Sequence, residues 1–475
     1  MITPDPGSFK DPSGRVYRVT DDNNVTHILR GLDANAGAVA TTLLAAPFFQ
    51  TWIRKQYIVA TTDVTNEPIA APLTPHWHTV LEHTPVPFLT MPYEWCFSML
   101  KDAALLTLDL FQQALENHYL LKDATPYNIQ FNGIRPVFID IPSFQPRGEF
   151  DYWRGYRQFS AEFLVPLLLD AHCNIAFHAL LRACPGGIAP LDAAKYFYGM
   201  RVFKRGVLSH VWFPAYAERR ALRRGVDTVI ETNTTRGQPA IALRALVDSL
   251  SRLIRTLHHR NANTGHWSQY TRTHSYDADS YAKKKNFIDR HAAALCPRLA
   301  WDLGANTGEF ARIVASHAQH VIAADTDHDS IEALYRSLRN DGVDNITPLL
   351  LDVANPSPSQ GWACAERPAF AQRSKPDFVI CLALLHHLRV SANVPLAMVI
   401  EWLASLRTTV VLEWVGRKDT MFRALVVNKT EEYGDYTLPV FETEVRKWFN
   451  IEDRLVLKDG MRELFLLAPK GTYLE

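Results

Sequence analysis

The chain has 475 residues, 47% of them apolar and 21% charged, a composition that fits a folded globular protein and excludes a disordered or fibrous one. Lysine plus arginine equals aspartate plus glutamate at 50 each, so no global field gathers the chain onto nucleic acid or an anionic membrane, which disfavours bulk nucleic-acid binding and leaves room only for a local basic patch. Six cysteines (Cys96, Cys173, Cys184, Cys296, Cys364, Cys381) lie far apart, with no CxxC and no Cys/His set of zinc spacing. They read as reduced thiols, with no metal centre expected. The N-terminus, Met-Ile-Thr-Pro-Asp-Pro-Gly, lacks a basic and then apolar leader, and no apolar run approaches the roughly 18 residues of a membrane span. A cytoplasmic, non-secreted protein of about two to three domains is expected.

Two alternating runs, Arg15–Val19 and Thr26–Leu29, flank the turn-rich Asp21-Asp22-Asn23-Asn24 and predict a β-hairpin. Residues 34–54 are rich in Ala, Leu and Phe, with no glycine or proline after Gly37 except Pro47, and are expected to contain a helix. Strands are expected at Tyr57–Thr61 and Pro87–Met91. Between Ser98 and Asn117, apolar residues at Leu100, Ala103, Leu106, Leu110 and Ala114 keep helical spacing and predict an amphipathic helix. Short extended runs return from Phe131 to Phe144. Residues 151–260 read as mainly helical, with breaks at Pro185-Gly186-Gly187 and near Pro239. Within 201–260, 12 Lys/Arg stand against four Asp/Glu, which is either a solvated helix surface or a docking face for an acidic ligand.

A polar, aromatic stretch without clear period places the main boundary near residue 261. Beyond it, apolar runs at Leu299–Leu303, His320–Ala324, Thr347–Leu351, Phe378–Ala383 and Thr409–Leu412 alternate with helical patterns, which predicts a parallel sheet covered on both faces. Arg454–Leu457 and Glu463–Leu467, joined through Asp459-Gly460, predict a closing hairpin.

The first of these runs ends Trp301-Asp302-Leu303-Gly304-Ala305-Asn306-Thr307-Gly308, directly before a helical pattern. Gly304 and Gly308 allow a tight strand-to-helix turn and close approach of a ligand. Asp325 ends the next strand, 23 residues after Asp302, where a carboxylate can receive both hydroxyls of a ribose. Asp352, followed by apolar Val353, ends the third. Three acidic residues thus converge on the crevice where open α/β sheets bind ligands.

On these residues, 299–470 resemble a class I S-adenosylmethionine-dependent methyltransferase domain, with Asp302–Gly308, Asp325 and Asp352 matching its first three motifs. Asn306 stands where that family often has glycine. The resemblance implies a Rossmann-like fold with a seven-stranded sheet, S-adenosyl-L-methionine as cofactor and S-adenosyl-L-homocysteine as product. It also implies that Gly304–Gly308 hold the methionine portion, Asp325 the ribose, and Asp352 the adenine amino group. An NAD-type Rossmann domain and an unliganded α/β core are the alternatives. The whole chain is similar to bacterial methyltransferases related to rhizobial nodulation proteins, through segments such as Pro6–Gly14, Pro92–Trp95, Leu121–Asn128, Phe138–Asp140, Tyr156–Phe159 and Thr273–Tyr276.

Methyl transfer needs positioning and, for some acceptors, a base. Leu382, His386 and His387 follow the fourth strand, and Glu413 ends the fifth. The two histidines and Glu413 are the catalytic candidates, each with a plain structural alternative. Trp267, Tyr270, His274, Tyr276 and Lys284 precede the sheet as a candidate lid, with rings for a sulfonium and a lysine for the cofactor carboxylate. In the first half, Asp123 and Asn128 are spaced D-x4-N and Asp140 follows twelve residues later, which resembles the catalytic loop and metal-binding aspartate of kinase-like folds. No glycine-rich loop and no strand lysine accompany them, and Arg30 is the nearest basic residue. The expected organisation is a degenerate kinase-like α+β lobe (1–150), a helical extension (151–260) and the methyltransferase domain (261–475), acting on a small-molecule or carrier-linked methyl acceptor. A nucleotide-binding scaffold or phosphotransferase with an attached cofactor-sensing domain is the competing class.

Overall fold

The computed structural model describes residues 2–21, 25–148, 152–224, 239–260, 277–430, 433–457 and 460–471. In the first half, β1 (Ile2–Pro4), β2 (Gly14–Thr20), β3 (Thr26–Leu32), β4 (Thr61–Asp63) and β5 (Thr79–His83) form an antiparallel sheet in the order β1-β2-β3-β5-β4. The expected hairpin is β2–β3, paired from Gly14–Leu32 to Thr20–Thr26. The expected helix of 34–54 is two, α1 (Ala34–Ala45) and α2 (Pro47–Arg54), bent by 75° because Pro47 opens a new helix at its first turn.

The strand expected at Pro87–Met91 is absent and Thr79–His83 takes its place, since Pro85, Pro87 and Pro92 remove ladder donors. The long amphipathic helix is α3 (Phe97–Glu116), followed by β6 (Tyr119–Leu121), β7 (Ile129–Asn132), β8 (Arg135–Phe138) and β9 (Phe144–Pro146). The next segment is helical from Tyr156 through Cys173, with two π-widened turns, Ser160–Leu164 and Leu169–Cys173. Pro166 supplies no N–H and crowds the carbonyl four residues back, which widens the first of them. Two longer helices, α4 (Phe213–Arg224) and α5 (Ala240–Arg255), complete this part.

In the second half, α6 (Ala278–Leu295) leads into β10 (Leu299–Leu303), α7 (Glu309–Ala315), β11 (His320–Asp325), α8 (His328–Asp341), β12 (Ile346–Leu350) and β13 (Phe378–Cys381). These are followed by α9 (Leu396–Ser405), β14 (Thr409–Val415), α10 (Leu438–Trp448), β15 (Phe449–Leu457) and β16 (Arg462–Pro469). The seven-stranded sheet runs β12-β11-β10-β13-β14-β16-β15. Strands β10 to β14 are parallel, and β16 inserts antiparallel between β14 and β15. The five strands near-continuously apolar in sequence are buried on both faces, as helices on either side require.

One apolar core runs from Leu32 to Leu467, through both halves. Polar groups register them. Arg373, in the connection between β12 and β13, makes a bidentate pair with Glu94 at 2.6 and 2.8 Å, both side chains at most 1% exposed. Arg373 also donates to the carbonyls of Leu89 and Pro368, and Glu94 accepts the Met91 N–H. At the start of α3, Phe97 N–H donates to His328 Nε2 and Ser98 N–H to Glu332, both on α8. The Gly133 turn between β7 and β8 lies so close to Asp344 O that a Cβ would sit 1.7 Å from it.

His259 ties the seam further: Nδ1 faces Asp170 Oδ1 at 2.7 Å and Nε2 faces Asp329 Oδ1 at 2.9 Å. Burial works against its charge, yet the carboxylates hold its pKa up at about 9. The expected boundary near residue 261, with the aromatic segment after it, lies outside the described residues. No single helix among those described is long and apolar enough to cross a membrane.

Removing one partner of the buried pair, as in Glu94→Gln, leaves Arg373 uncompensated and is expected to destabilise the fold by about 3–5 kcal/mol in denaturant titration. The double change Glu94→Gln with Arg373→Met should lose less than the two single losses added together. The pH dependence of stability checks His259. Its folded pKa is raised above the ordinary 6.5, so its contribution is full below about 6.5 and is lost as pH rises through about 9. Unfolding midpoints measured from pH 6 to 10 should show that decline in the parent and not in His259→Gln.

Candidate functional site

The turn from β10 to α7 is built for close approach. Gly304 (φ +83°) and Gly308 (φ +79°) are both left-handed, and a Cβ on Gly308 would meet Leu334 of α8 at 2.4 Å. Asn306 is left-handed too, at φ +49°, which asparagine tolerates better than other side chains. Its Oδ1 accepts the Thr307 N–H at 2.8 Å, and its own N–H donates to Asp325 Oδ2 at 2.8 Å. The departure from glycine at this position is thereby accommodated.

Asp302, Asp325 and Asp352 stand at or just past the carboxyl ends of three adjacent strands, β10, β11 and β12, in three different environments. Asp302 is 2% exposed, and its Oδ2 has no hydrogen-bond partner among the described residues. Burial and the neighbouring Asp325 push its pKa up to about 7, against the pull of Lys284. Asp325 accepts the backbone N–H groups of Asn306 and Asp327, while burial raises its pKa. Asp327 then caps α8, so the turn that fixes Asp325 also starts the helix that His259 and the Ser98 N–H hold through Asp329 and Glu332. Asp352 is exposed at the rim, accepting the Ala354 N–H at 2.9 Å, and Val353 beside it packs on the core.

On the other side of β10, Leu382 is buried and Ala383 turns left-handed at φ +48°. The Ala383 N–H donates to Glu413 Oε2 at 2.9 Å, and Lys284 Nζ lies 2.7 Å from the same oxygen. Arg462, on β16, reaches Glu413 Oε1 at 3.3 Å and grips Asp419 through Nε and Nη2 at 2.9 and 3.1 Å. All four of these charged side chains are nearly or fully buried. Glu413 and Lys284 therefore pair with each other, which is the structural alternative for Glu413. Arg462 and Asp419 had no sequence signal, because their partners lie 43 to 49 residues apart on different elements.

His386 is completely buried, with neither ring nitrogen hydrogen-bonded among the described residues, and its ring centroid is 4.3 Å from that of His387. Burial, with the charges of His387, Arg462 and Lys284, drives its pKa well below the ordinary value. Burial and Arg462 bring His387 down to about 4. Trp267, Tyr270, His274 and Tyr276 lie outside the described residues.

In the first half, Asp140 pairs with Arg30 of β3 and is joined to Asn128 through Ser143, while Asp123 lies beside Lys122. Asp140 accepts Arg30 Nη1 at 2.8 Å and Ser143 Oγ at 2.5 Å, and Ser143 Oγ in turn accepts Asn128 Nδ2 at 3.1 Å. Lys122 pairs with Asp11 at 3.2 Å and lies 3.9 Å from Asp123, which is half exposed and raised in pKa chiefly by burial. Separately, Asp170, His259 and His328 bring one ligand-type atom each within 4.8 Å of one another. Hydrogen bonds account for this grouping without an ion, since His259 donates to two carboxylates and His328 Nε2 accepts an amide.

A left-handed turn after the first strand, carboxylates at the ends of three adjacent parallel strands and an antiparallel strand inserted near the far edge define a Rossmann-like α/β domain. Its sheet has the order and the antiparallel insertion expected of a class I methyltransferase. No protein-family model matches the chain. Nodulation protein NoeA of Rhizobium meliloti (strain 1021) is 32% identical over 464 residues, 97% of this chain and 94% of that protein, and the chain belongs to the NoeA family. Among solved structures it is similar to N-methyltransferase NodS from Bradyrhizobium japonicum WM9, at 12% identity and a TM-score of 0.30, covering 41% of this chain and 99% of that one. It is also similar to magnesium protoporphyrin IX methyltransferase (ChlM) from Synechocystis PCC 6803 with bound SAM, at 16% identity and a TM-score of 0.29, covering 40% and 80%.

Gly308→Ala tests the turn. A methyl group at this left-handed position collides with Leu334, so the variant is expected to lose roughly 2 kcal/mol or more of stability in denaturant unfolding, whereas exposed Gly434→Ala should change little.

Proposed function

We propose that the chain is an S-adenosyl-L-methionine-dependent methyltransferase acting on an oxygen or nitrogen of a small-molecule or carrier-linked acceptor. The observation that carries this reading is the convergence of Asp302, Asp325 and the Gly304–Gly308 turn at the carboxyl edge of a sheet with an antiparallel inserted strand. The residues fit the cofactor: Oδ2 of Asp302, unpartnered among the described residues, is a buried acceptor suited to an ammonium, and Asp325 has lone pairs left for ribose hydroxyls. Asp352 and Val353 stand at the rim for the adenine edge. When bound, the cofactor supplies a sulfonium methyl group that an acceptor lone pair displaces, leaving S-adenosyl-L-homocysteine.

The chain's own contribution is placement. Glu413 locks Lys284, the Ala383 N–H and Arg462, which fixes the floor on which an acceptor would lie. His386 and His387, kept neutral by burial, offer a hydrogen-bonding imidazole and not a strong base. That suits an acceptor whose proton leaves easily, and it assigns the histidines to orientation first.

For the first half we propose a kinase-like relic that supports acceptor recognition and transfers no phosphate. Arg30 and Ser143 occupy the oxygens of Asp140, so its charge is already matched within the protein, where a magnesium ligand would face the ion.

Two measurements check these assignments. In calorimetric titration, Asp325→Ala is expected to weaken S-adenosyl-L-methionine binding by about 1–3 kcal/mol, and an unchanged dissociation constant in the folded variant would remove Asp325 from the site. Asp140→Asn should leave methyl transfer within a few-fold of the parent. Magnesium-dependent ATP consumption by the parent, lost in Asp140→Asn, would make this a two-activity enzyme instead.

A further inference from the structure

The helical part carries a surface that neither the fold nor the crevice uses. Between Ala189 and Arg224, short helical turns and α4 pack inward through Ala193, Phe197, Val207, Val211 and Ala215, all buried. Trp212 Nε1 donates to Phe197 O at 3.0 Å, and Tyr156 Oη lies 2.8 Å from His210 Nδ1, so this packing is fixed at both ends. Outward, Tyr198, Met200, Phe203, Phe213 and Tyr216 are 67%, 79%, 71%, 65% and 63% exposed. A single exposed apolar side chain needs no explanation, but five large ones within 19 residues do.

Charge follows the same segment. Residues 195–224 contain eight Lys/Arg and one acidic residue, Glu218, in a chain whose total charge is zero. Glu218 is already paired with Arg157 at 2.9 Å. Lys204, Arg205, Arg219, Arg220 and Arg223 make no ion pair among the described residues. On α4, Phe213, Tyr216, Arg220 and Arg223 repeat at helical spacing and fall on one stripe, while Ala215 faces the core. Arg201 stacks over Tyr198 at 5.4 Å, so cation and ring are presented together.

We propose that residues 198–224 dock the protein peripherally on an anionic lipid surface. The five apolar side chains enter the headgroup level, and the lysines and arginines lie over lipid phosphates. This pairing of protruding aromatics with local positive charge is what an interfacial zone rewards, because apolar area leaves water while each cation keeps its hydration or finds an anion. Side chains this exposed stand out from the surface, so they require no shape-matched recess, as a protein partner would. The most exposed of them, Met200, has no ring face on which a nucleobase could stack. The docking is separate from membrane spanning and does not depend on the methyltransferase reading.

Co-sedimentation of the full chain with vesicles tests it. Binding is expected to vesicles of phosphatidylcholine and phosphatidylglycerol at roughly three to one and not to phosphatidylcholine alone, with a fall of about tenfold or more when salt is raised to about 0.5 M. The triple variant Met200→Ser, Phe203→Ser, Phe213→Ser should lose about tenfold or more of that binding while keeping the parent's circular dichroism and unfolding midpoint. Absence of binding to anionic vesicles, or binding that the folded triple variant leaves unchanged, would overturn the proposal. Retention on single-stranded RNA or on an acidic polypeptide without vesicle binding would also overturn it, and would hand the surface to that class of partner.

Discussion

Arg373 and Glu94 exchange two charge-assisted hydrogen bonds out of reach of water, and much of the molecule is arranged so that neither is left alone. An uncompensated guanidinium in that position would be far more damaging than an apolar residue, so the chain segments carrying the two must arrive together. Arg373 sits late in the long connection between Asp352 and β13, next to Ser374, Lys375 and Asp377 at the amino ends of the strands, and Glu94 precedes α3. The same connection reaches the first half again through Lys10 and Glu366 at 2.7 Å, and through Arg182 to the Asn355 and Pro356 carbonyls. Through Arg182 the first half therefore also holds the chain three and four residues beyond Asp352.

A second closed charge system sits beneath the crevice floor. Lys284 from α6, the Ala383 N–H after β13, Glu413 from β14 and Arg462 from β16 meet at one carboxylate, and Asp419 closes the set. Four segments distant in sequence are held by groups that would each be costly to bury singly. The left-handed Ala383 is held in place by its hydrogen bond to this carboxylate. His386 and His387 lie near this charge system, with burial lowering the pKa of both.

How much of this was legible follows from what each signal is made of. The alternating β2–β3 hairpin, the amphipathic α3 and the five parallel strands announce themselves because each is a local period, and their bounds moved by only a few residues. The Asp302–Gly308 turn, Asp325 and Asp352 were readable because spacing along βα units maps directly onto the strand ends. Thr79–His83 escaped because it is too short to show a period, and Pro87–Met91 misled because its apolar content outweighed the missing donors of its prolines. The pairing of Glu413 with Lys284 and Arg462 could not be seen, since a charged residue's partner is set by three-dimensional packing. Arg30 is instructive: the absence of a strand lysine was plain in the sequence, and only the structure shows the arginine spending its charge on Asp140.

The asparagine in the first turn has a bearing on which cofactor can settle there. Its side chain takes up the Thr307 N–H and its own N–H is given to Asp325, so two of the donors that a glycine-rich turn would present are already satisfied inside the protein. Two buried carboxylates, Asp302 and Asp325, stand directly behind them. A diphosphate, the group a dinucleotide brings to this position, would find few free donors and adverse charge. Asp325 suits a ribose in either class of Rossmann cofactor, so it is Asp302, a buried acceptor close behind the turn, that would favour a ligand bringing an ammonium over one bringing a diphosphate.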